Sequence, residues 1–330
     1  MSLQLPALSR RLLLGGAAAL ATLPVRPARA ATAVNGVVIG RDGWLFAQGD
    51  AMGVVDPQRV KRVTGLLKEA ISIFRSARIE TVVALAPSRA RIFRDMLPDG
   101  MRIAPSTDQR LNQARQEFAA MNVLAPDLYT PFTRQRSAQP GMPLFFKADT
   151  HWMSYGAELA AGEAARAIRE RFRLPPAPGP GAQLGPPSRA THVSDLAAQL
   201  PVAERQKFPP QDFPVRPEAD AGASLLDDEK TDTTVVGNSF MHPRYGFSRA
   251  LSYALERPVA LHWQVHGNGP YRTMLNYLGG DSFRQSKPAL LVWNLHEMDM
   301  EATPDRADIW RGNAMPAASF LSELRGLVGA

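Results

Sequence analysis

The chain has 330 residues, a formal net charge of +7 and no cysteine. The missing thiols exclude disulfides, thiolate chemistry and sulfur-ligated zinc. No basic cluster with interleaved aromatics occurs, so nucleic acid is not an expected partner.

The N-terminus places Arg10 and Arg11 before an apolar run from Leu12 to Val25, followed by the small-x-small sequence Ala28-Arg29-Ala30. Basic, apolar and small residues in that order predict a secretory signal over 1–30, of twin-arginine type, and a periplasmic destination. An uncleaved N-terminal anchor is the alternative. The leader holds four arginines and no acid, so its removal lowers the charge from +7 to +3. The basic balance therefore says little about partners.

In "VVIGRDGWLFAQGD" two apolar runs flank Asp42-Gly43, which predicts a hairpin. Asp56 and Pro57 read as the cap and first residue of a helix whose apolar positions Val60, Val63, Leu66, Leu67, Ile71 and Phe74 keep helical spacing. "ETVVALAP" reads as a buried strand, Thr107 to Met121 as a second helix and "NVLAP" as a short strand. "PLFFKADTHW" leads into a helix from Ser154 to Phe172. Eleven of the 28 prolines then fall between Leu174 and Thr231. Apart from an amphipathic piece near Ser194 to Leu200, the stretch 174–231 has no apolar period. It reads as a long, loop-rich surface excursion or lid. Strand, turn and helix resume in "TTVVGNSFMHPRYGFSRALSYAL". They are followed by the strands "PVALHWQV" and "PALLVWNL", with the short helix "YRTMLNYLG" between them, and a last helix near Ala317 to Val328. The alternation predicts an α/β fold with a mostly parallel central sheet, helices on both faces, and 31–330 as a single domain.

Two stretches carry candidate chemistry. Ser239 in "VVGNSF" lies just past an apolar strand, where functional groups of open α/β sheets gather. Backbone N–H groups of Ser239 and its neighbour Asn238 lie where an oxyanion could be held. Equally, Asn238 or Ser239 could simply cap the following helix. In "FFKADTHWMSYGAELAA", Asp149 and His151 are an Asp-x-His pair. A serine needs a base to take its proton, and the base needs a carboxylate to fix its tautomer. A helix cap beside a surface histidine, or a metal ligand, are the other readings of that pair. His242, three residues after Ser239, is a rival base. No metal site is expected, because the remaining histidines are scattered. Around the pair, Lys147 and Trp152 are candidate substrate contacts, with Arg89 after the first buried strand and Tyr245 after Ser239. Trp152 is equally readable as core and Arg89 as a solvated side chain.

"GRDGWLF", "APSRARIFRDMLP", "KADTHWMSYGAELAA" and "VVGNSF", in this order, resemble the alginate O-acetyltransferase family of AlgX and AlgJ, whose domain is SGNH-hydrolase-like. The resemblance runs from about Val37 to Trp293. It implies a three-layer SGNH-hydrolase-like fold with Ser239 as nucleophile and His151 and Asp149 completing a triad. It further implies an acetyl-serine intermediate, an exopolysaccharide acceptor, a membrane-bound acyltransferase as acetyl donor, and no soluble cofactor. Two positions depart from the family's pattern: Met298 stands where an arginine is usual, and Arg89 stands for a lysine. No carbohydrate-binding module of the AlgX kind is expected after the last helix. An acetylesterase with the same triad, or a non-catalytic polysaccharide-binding envelope scaffold, are the alternatives to an exported O-acetyltransferase.

Overall fold

The computed structural model describes residues 33–219 and 231–329. The leader expected over 1–30 lies outside these residues, as does 220–230 of the excursion. Among the described residues no helix is long and apolar enough to cross a membrane.

The described residues begin with a small antiparallel sheet of β1 (Ala33–Val34), β2 (Val37–Ile39) and β3 (Leu45–Ala47). Between β2 and β3, Asp42 at φ 50° and Gly43 at φ 78° take the left-handed conformations a tight turn requires. The helix Pro57–Ser76 starts as its sequence demands: the Asp56 carboxylate accepts from Gln58 N–H at 2.9 Å and Pro57 fills the first turn. The remaining strands are β4 (Glu80–Ala86), β5 (Ser188–His192), β6 (Gln211–Val215), β7 (Thr233–Gly237), β8 (Ala260–Trp263) and β9 (Leu290–His296).

The central sheet has the order β4–β9–β7–β8, and each neighbouring pair is parallel. Both faces are covered. Val82, Ala84, Ala86, Val235 and Val292 pack toward the helices Ser154–Arg171 and Phe247–Leu255. Val83, Leu85, Val236, Leu291, Trp293 and Leu295 pack toward Pro57–Ser76, Pro105–Ala120, Gly269–Leu278 and Ala317–Val328. This two-sided burial is why the strands read as continuous apolar runs without alternation. Each fully buried Val or Leu contributes about 1.5–3 kcal/mol. The result is a three-layer α/β fold with the carboxyl ends of β4, β9, β7 and β8 on one edge.

Two expectations are corrected. "NVLAP" forms no strand; Leu124 makes a single parallel bridge to Val82. Pro126, two residues on, has no N–H with which to extend a ladder. The excursion is also less irregular than its composition suggests. β5 and β6 pair antiparallel, from Ser188↔Val215 to His192↔Gln211, with the helices Asp195–Gln199 and Val202–Arg205 between them. Phe213 of β6 is buried against Phe146 at 4.8 Å between ring centroids. Leu196, Ala197 and Leu200 pack against Val37, Leu45 and Ala148. A few buried side chains thus seat the segment directly on the edge where the sheet's strands end.

Candidate active site

β7 is buried along its whole length and ends at Gly237. A Cβ at 237 would lie 2.7 Å from both Asn294 Cβ and Met241 Cγ. Only glycine lets the strand end pass this close to β9 and turn sharply into Asn238 and Ser239. We expect Gly237→Ala to destabilise the fold by about 1–3 kcal/mol through overpacking and to lower turnover of an acetyl ester roughly 10- to 100-fold by shifting Ser239. Denaturant unfolding and kcat would read the two effects. A stable variant with unchanged kcat would contradict this role.

Ser239 opens a one-turn 3-10 helix, Ser239–Met241, and the Asn238 carbonyl Oδ1 caps it by accepting from Phe240 N–H at 3.0 Å. The cap reading of Asn238 therefore holds without displacing Ser239 from the site. The N–H of Ser239 heads the turn and has no partner inside it, and Asn238 Nδ2 is buried without a hydrogen-bond partner.

The Asp149–His151 loop folds over this turn. It is closed at its base by Met153 N–H donating to Leu144 O at 2.9 Å and by a bridge between Phe145 and Trp152. His151 Nε2 lies 2.7 Å from Ser239 Oγ, and His151 Nδ1 lies 2.7 Å from Asp149 Oδ1. A carboxylate can only accept, so Nδ1 carries the proton and Nε2 is free to accept from the serine hydroxyl.

Asp149 is fully buried. Its Oδ1 accepts from both the backbone N–H of His151 at 2.8 Å and the ring Nδ1–H, and its Oδ2 accepts from His192 Nε2 at 2.6 Å and Asp195 N–H at 2.7 Å. Burial pushes this carboxyl up, but hydrogen bonds from His151 and His192 outweigh it and hold the group well below the usual carboxylate range. Folding stability contributed by Asp149 is therefore present above the ordinary carboxylate pKa of about 4 and lost as pH falls below it. Asp195 moves the other way, pushed up by burial and by the Asp149 charge.

His192 and Asp195 were not legible as site residues, since both come from the proline-rich excursion. Asp195 Oδ1 accepts from Thr150 N–H at 2.8 Å while its own N–H serves Asp149. The two loops thus clasp each other reciprocally. Arg244, also unanticipated, places Nη1 3.0 Å from His192 Nδ1.

The other sequence candidates divide. Arg89 is buried, and its Nη1 donates to the carbonyls of Phe146 and, at 3.0 Å, of Lys147. Its guanidinium lies 5.4 Å from the Trp44 ring and 5.1 Å from the Phe46 ring. Burial lowers its pKa to about 10, with Asp149, Asp195 and Asp50 pulling it upward. It props the Asp149 loop from beneath and has no surface to offer a substrate. Trp152 is 0 % exposed and donates Nε1–H to Phe240 O at 3.0 Å. It ties the histidine loop to the serine turn, so a sugar cannot stack on it. Tyr245 is 3 % exposed and lies against the His151 ring at 5.2 Å, a wall behind the histidine. Of the four, Lys147 alone stays exposed, with Nζ 3.3 Å from Asp42 O. His242 turns its Nδ1 to Arg244 N–H at 3.1 Å, while the ring nitrogen on Ser239 is that of His151.

Beneath the site, Glu297 at the end of β9 is fully buried, and its Oε2 accepts from Ser88 N–H at 2.9 Å and Arg91 Nη1 at 3.1 Å. This pins the ends of β4 and β9 together. Met298, the departure from the resemblance, lies in the 3-10 turn Glu297–Glu301. Asp149, His151 and Asp195 bring ligand-type atoms within 4.8 Å of one another, the one such group among the described residues. Asp149 already accepts four hydrogen bonds, so a cation there would break the connection from Asp149 to Ser239.

A family model described as "SGNH hydrolase-like domain, acetyltransferase AlgX" matches residues 37–297. A Pseudomonas putida protein named "Probable alginate O-acetylase AlgJ" is 30% identical over 280 residues, which cover 79% of this chain and 69% of that protein. The solved O-acetyltransferase domain of Pseudomonas putida AlgJ superposes with a TM-score of 0.70 at 26% identity, covering 88% of this chain and 99% of that one. The structure of Pseudomonas aeruginosa AlgX superposes with a TM-score of 0.62 at 18% identity, over 87% of this chain and 67% of that one, a likeness of fold.

Proposed function

Because this chain belongs to the SGNH hydrolase-like acetyltransferase family of AlgX, we propose that it is a periplasmic O-acetyltransferase that moves an acetyl group onto a hydroxyl of an exopolysaccharide, alginate or a related polyuronate, through Ser239, His151 and Asp149. The observation that carries this reading is the 2.7 Å contact between Ser239 Oγ and His151 Nε2 at the carboxyl end of β7, backed by the 2.7 Å contact from His151 Nδ1 to Asp149.

Ser239 Oγ attacks the donor's acetyl carbonyl while its proton passes to His151 Nε2. The C–O bond to the donor then breaks, and the same proton goes to the departing oxygen. This leaves acetyl-Ser239. A sugar hydroxyl repeats the sequence in reverse: it attacks the acetyl carbon and gives its proton to His151, the bond from the acetyl carbon to Oγ breaks, and His151 Nε2 passes the proton to Ser239 Oγ. Asp149 keeps the proton of the resting histidine on Nδ1 and stabilises the imidazolium formed in each half. The N–H of Ser239 is the backbone donor we assign to the oxyanion, with Nδ2 of Asn238, buried and unpartnered beside it, as the side-chain candidate. No soluble cofactor enters. The donor is expected to be a membrane-bound acyltransferase that presents acetyl on the periplasmic side.

Transfer is separated from hydrolysis by supplying an activated acetyl ester with polyuronate oligosaccharides and following acetylated oligosaccharide by mass spectrometry. Acetyl should appear on the sugar in proportion to acceptor concentration. Release of free acetate alone, at every acceptor concentration, would replace this reading by the acetylesterase. Export is tested separately: a precursor with Arg10→Lys and Arg11→Lys should remain in the cytoplasm on cell fractionation, and normal periplasmic delivery would rule out the twin-arginine route.

A further inference from the structure

His192 is buried at the end of β5, its ring 4.4 Å from Phe146, 6.2 Å from Phe213 and 6.1 Å from Tyr245. A histidine that only filled this aromatic pocket would need its two ring nitrogens satisfied in any manner. Here they are satisfied in one direction. Arg244 cannot accept a hydrogen bond, so its Nη1, 3.0 Å away, must donate to Nδ1. That leaves the proton of neutral His192 on Nε2, which must then donate to Asp149 Oδ2 at 2.6 Å. The charged and titratable groups facing the ring are Asp149 and Arg244, with Tyr245 beside it and His242 nearby; those facing the His151 ring are Asp149, Asp195 with Oδ2 3.8 Å from Nδ1, Tyr245 and, nearby, His242. The adjacent Asp195 N–H supplies the second donor to the same oxygen.

We propose that His192 is a positioning residue for the Ser239–His151–Asp149 relay. Arg244 sets its tautomer, and its Nε2–H holds Oδ2 of Asp149 so that Oδ1 is turned to His151. The excursion between the helix Ser154–Arg171 and β7 is, on this account, what completes the catalytic geometry. The proposal rests on the function argued above.

The physical consequence has two parts. Without the Nε2–H donor the carboxylate rotates more freely and orients His151 less well, so turnover falls. The remaining charge of Asp149 is also less neutralised, so it favours the protonated imidazole of His151 more strongly, and the acid limb of activity moves to higher pH. Simple loss of packing produces neither the pH shift nor its direction.

The test uses the chain without its leader and a small activated acetyl ester, which avoids any contact between Arg244 and a sugar. His192→Phe keeps the aromatic volume and removes the donor. It should lower kcat about 10- to 100-fold, the range for losing a hydrogen bond to a charged group, with KM little changed and the acid limb of kcat/KM moved to higher pH. His192→Gln can offer an N–H to Asp149 and a carbonyl to Arg244, and should recover kcat to within roughly fivefold with a normal limb. Arg244→Met lies on the exposed side, so it keeps the test open if His192→Phe does not fold. It should lower kcat about 10-fold with a limb shift in the same direction. Wild-type kcat and pH profile in His192→Phe would overturn the proposal. So would a fall in kcat with an unmoved acid limb that His192→Gln does not restore. Ser239→Ala in the same assay separates the two levels: full activity there removes Ser239 and its relay as the source of turnover, whereas its loss beside an unaffected His192→Phe removes the positioning role alone.

Discussion

Replacing Ser239 by alanine is expected to abolish acetyl-ester turnover, by on the order of 10⁴-fold or more, and to eliminate the acetylated form of the protein in intact-mass spectra. The fold should survive. Ser239 Oγ has His151 Nε2 as its hydrogen-bond partner, and its removal opens no cavity larger than one oxygen atom. The thermal midpoint should stay within a few degrees of the parent. His151→Ala should be nearly as inactive, and the double variant no worse than either single one, because groups that act on one proton transfer lose their effect together. If Ser239→Ala retained full activity toward acetyl esters, Ser239 would not be the nucleophile; absence of turnover in the parent protein is what would favour the envelope-scaffold reading.

Asp149→Asn is expected to be almost as severe, roughly 10⁴-fold in kcat, and to destabilise the protein as well. The reason is specific to this site. All four groups around Asp149, namely the ring and backbone N–H of His151, His192 Nε2–H and Asp195 N–H, are donors in the native arrangement. An amide has one face that accepts and one that donates. Whichever way the substituted amide turns, its NH₂ meets N–H groups at one end; the histidine there can change tautomer, but the backbone N–H of His151 or of Asp195 cannot, and it is left unpaired at a cost of about 1–3 kcal/mol. Steady-state kinetics and denaturant unfolding measure the two effects. Parental kcat in the Asp149→Asn variant would dissociate Asp149 from the mechanism.

How much of this was legible beforehand follows from the range of each signal. Asp56-Pro57 announces a helix because capping is an interaction within one turn, and the helix Pro57–Ser76 begins there. "ETVVALA" and "LLVWNL" announce strands buried on both faces because residue after residue is apolar. Ser239 was a candidate from its place after such a strand, with a helix cap as the competing reading until the resemblance singled it out. The Asp149–His151 pair was legible because both groups sit in one short loop, where two residues of spacing suffice to bring carboxylate and ring together.

The contacts that decide the details are long-range. His192 reaches Asp149 across 43 positions and Asp195 reaches it across 46, from a segment whose one periodic piece, near Ser194 to Leu200, says nothing of what its polar residues meet. Arg89 and Trp152 carry the same side chains whether they line a cleft or a core; the packing of Trp44 and Phe46 over one, and of Phe240 against the other, decides for the core. By itself the sequence determined the layers and most strand ends, because periodicity and local hydrogen bonding act within a few residues, and it offered Ser239, His151 and Asp149 as candidates that the resemblance of four ordered motifs joined. Only the tertiary structure decided which polar groups surround Asp149 and which candidates are closed to solvent, because burial depends on segments that meet only when the chain has folded.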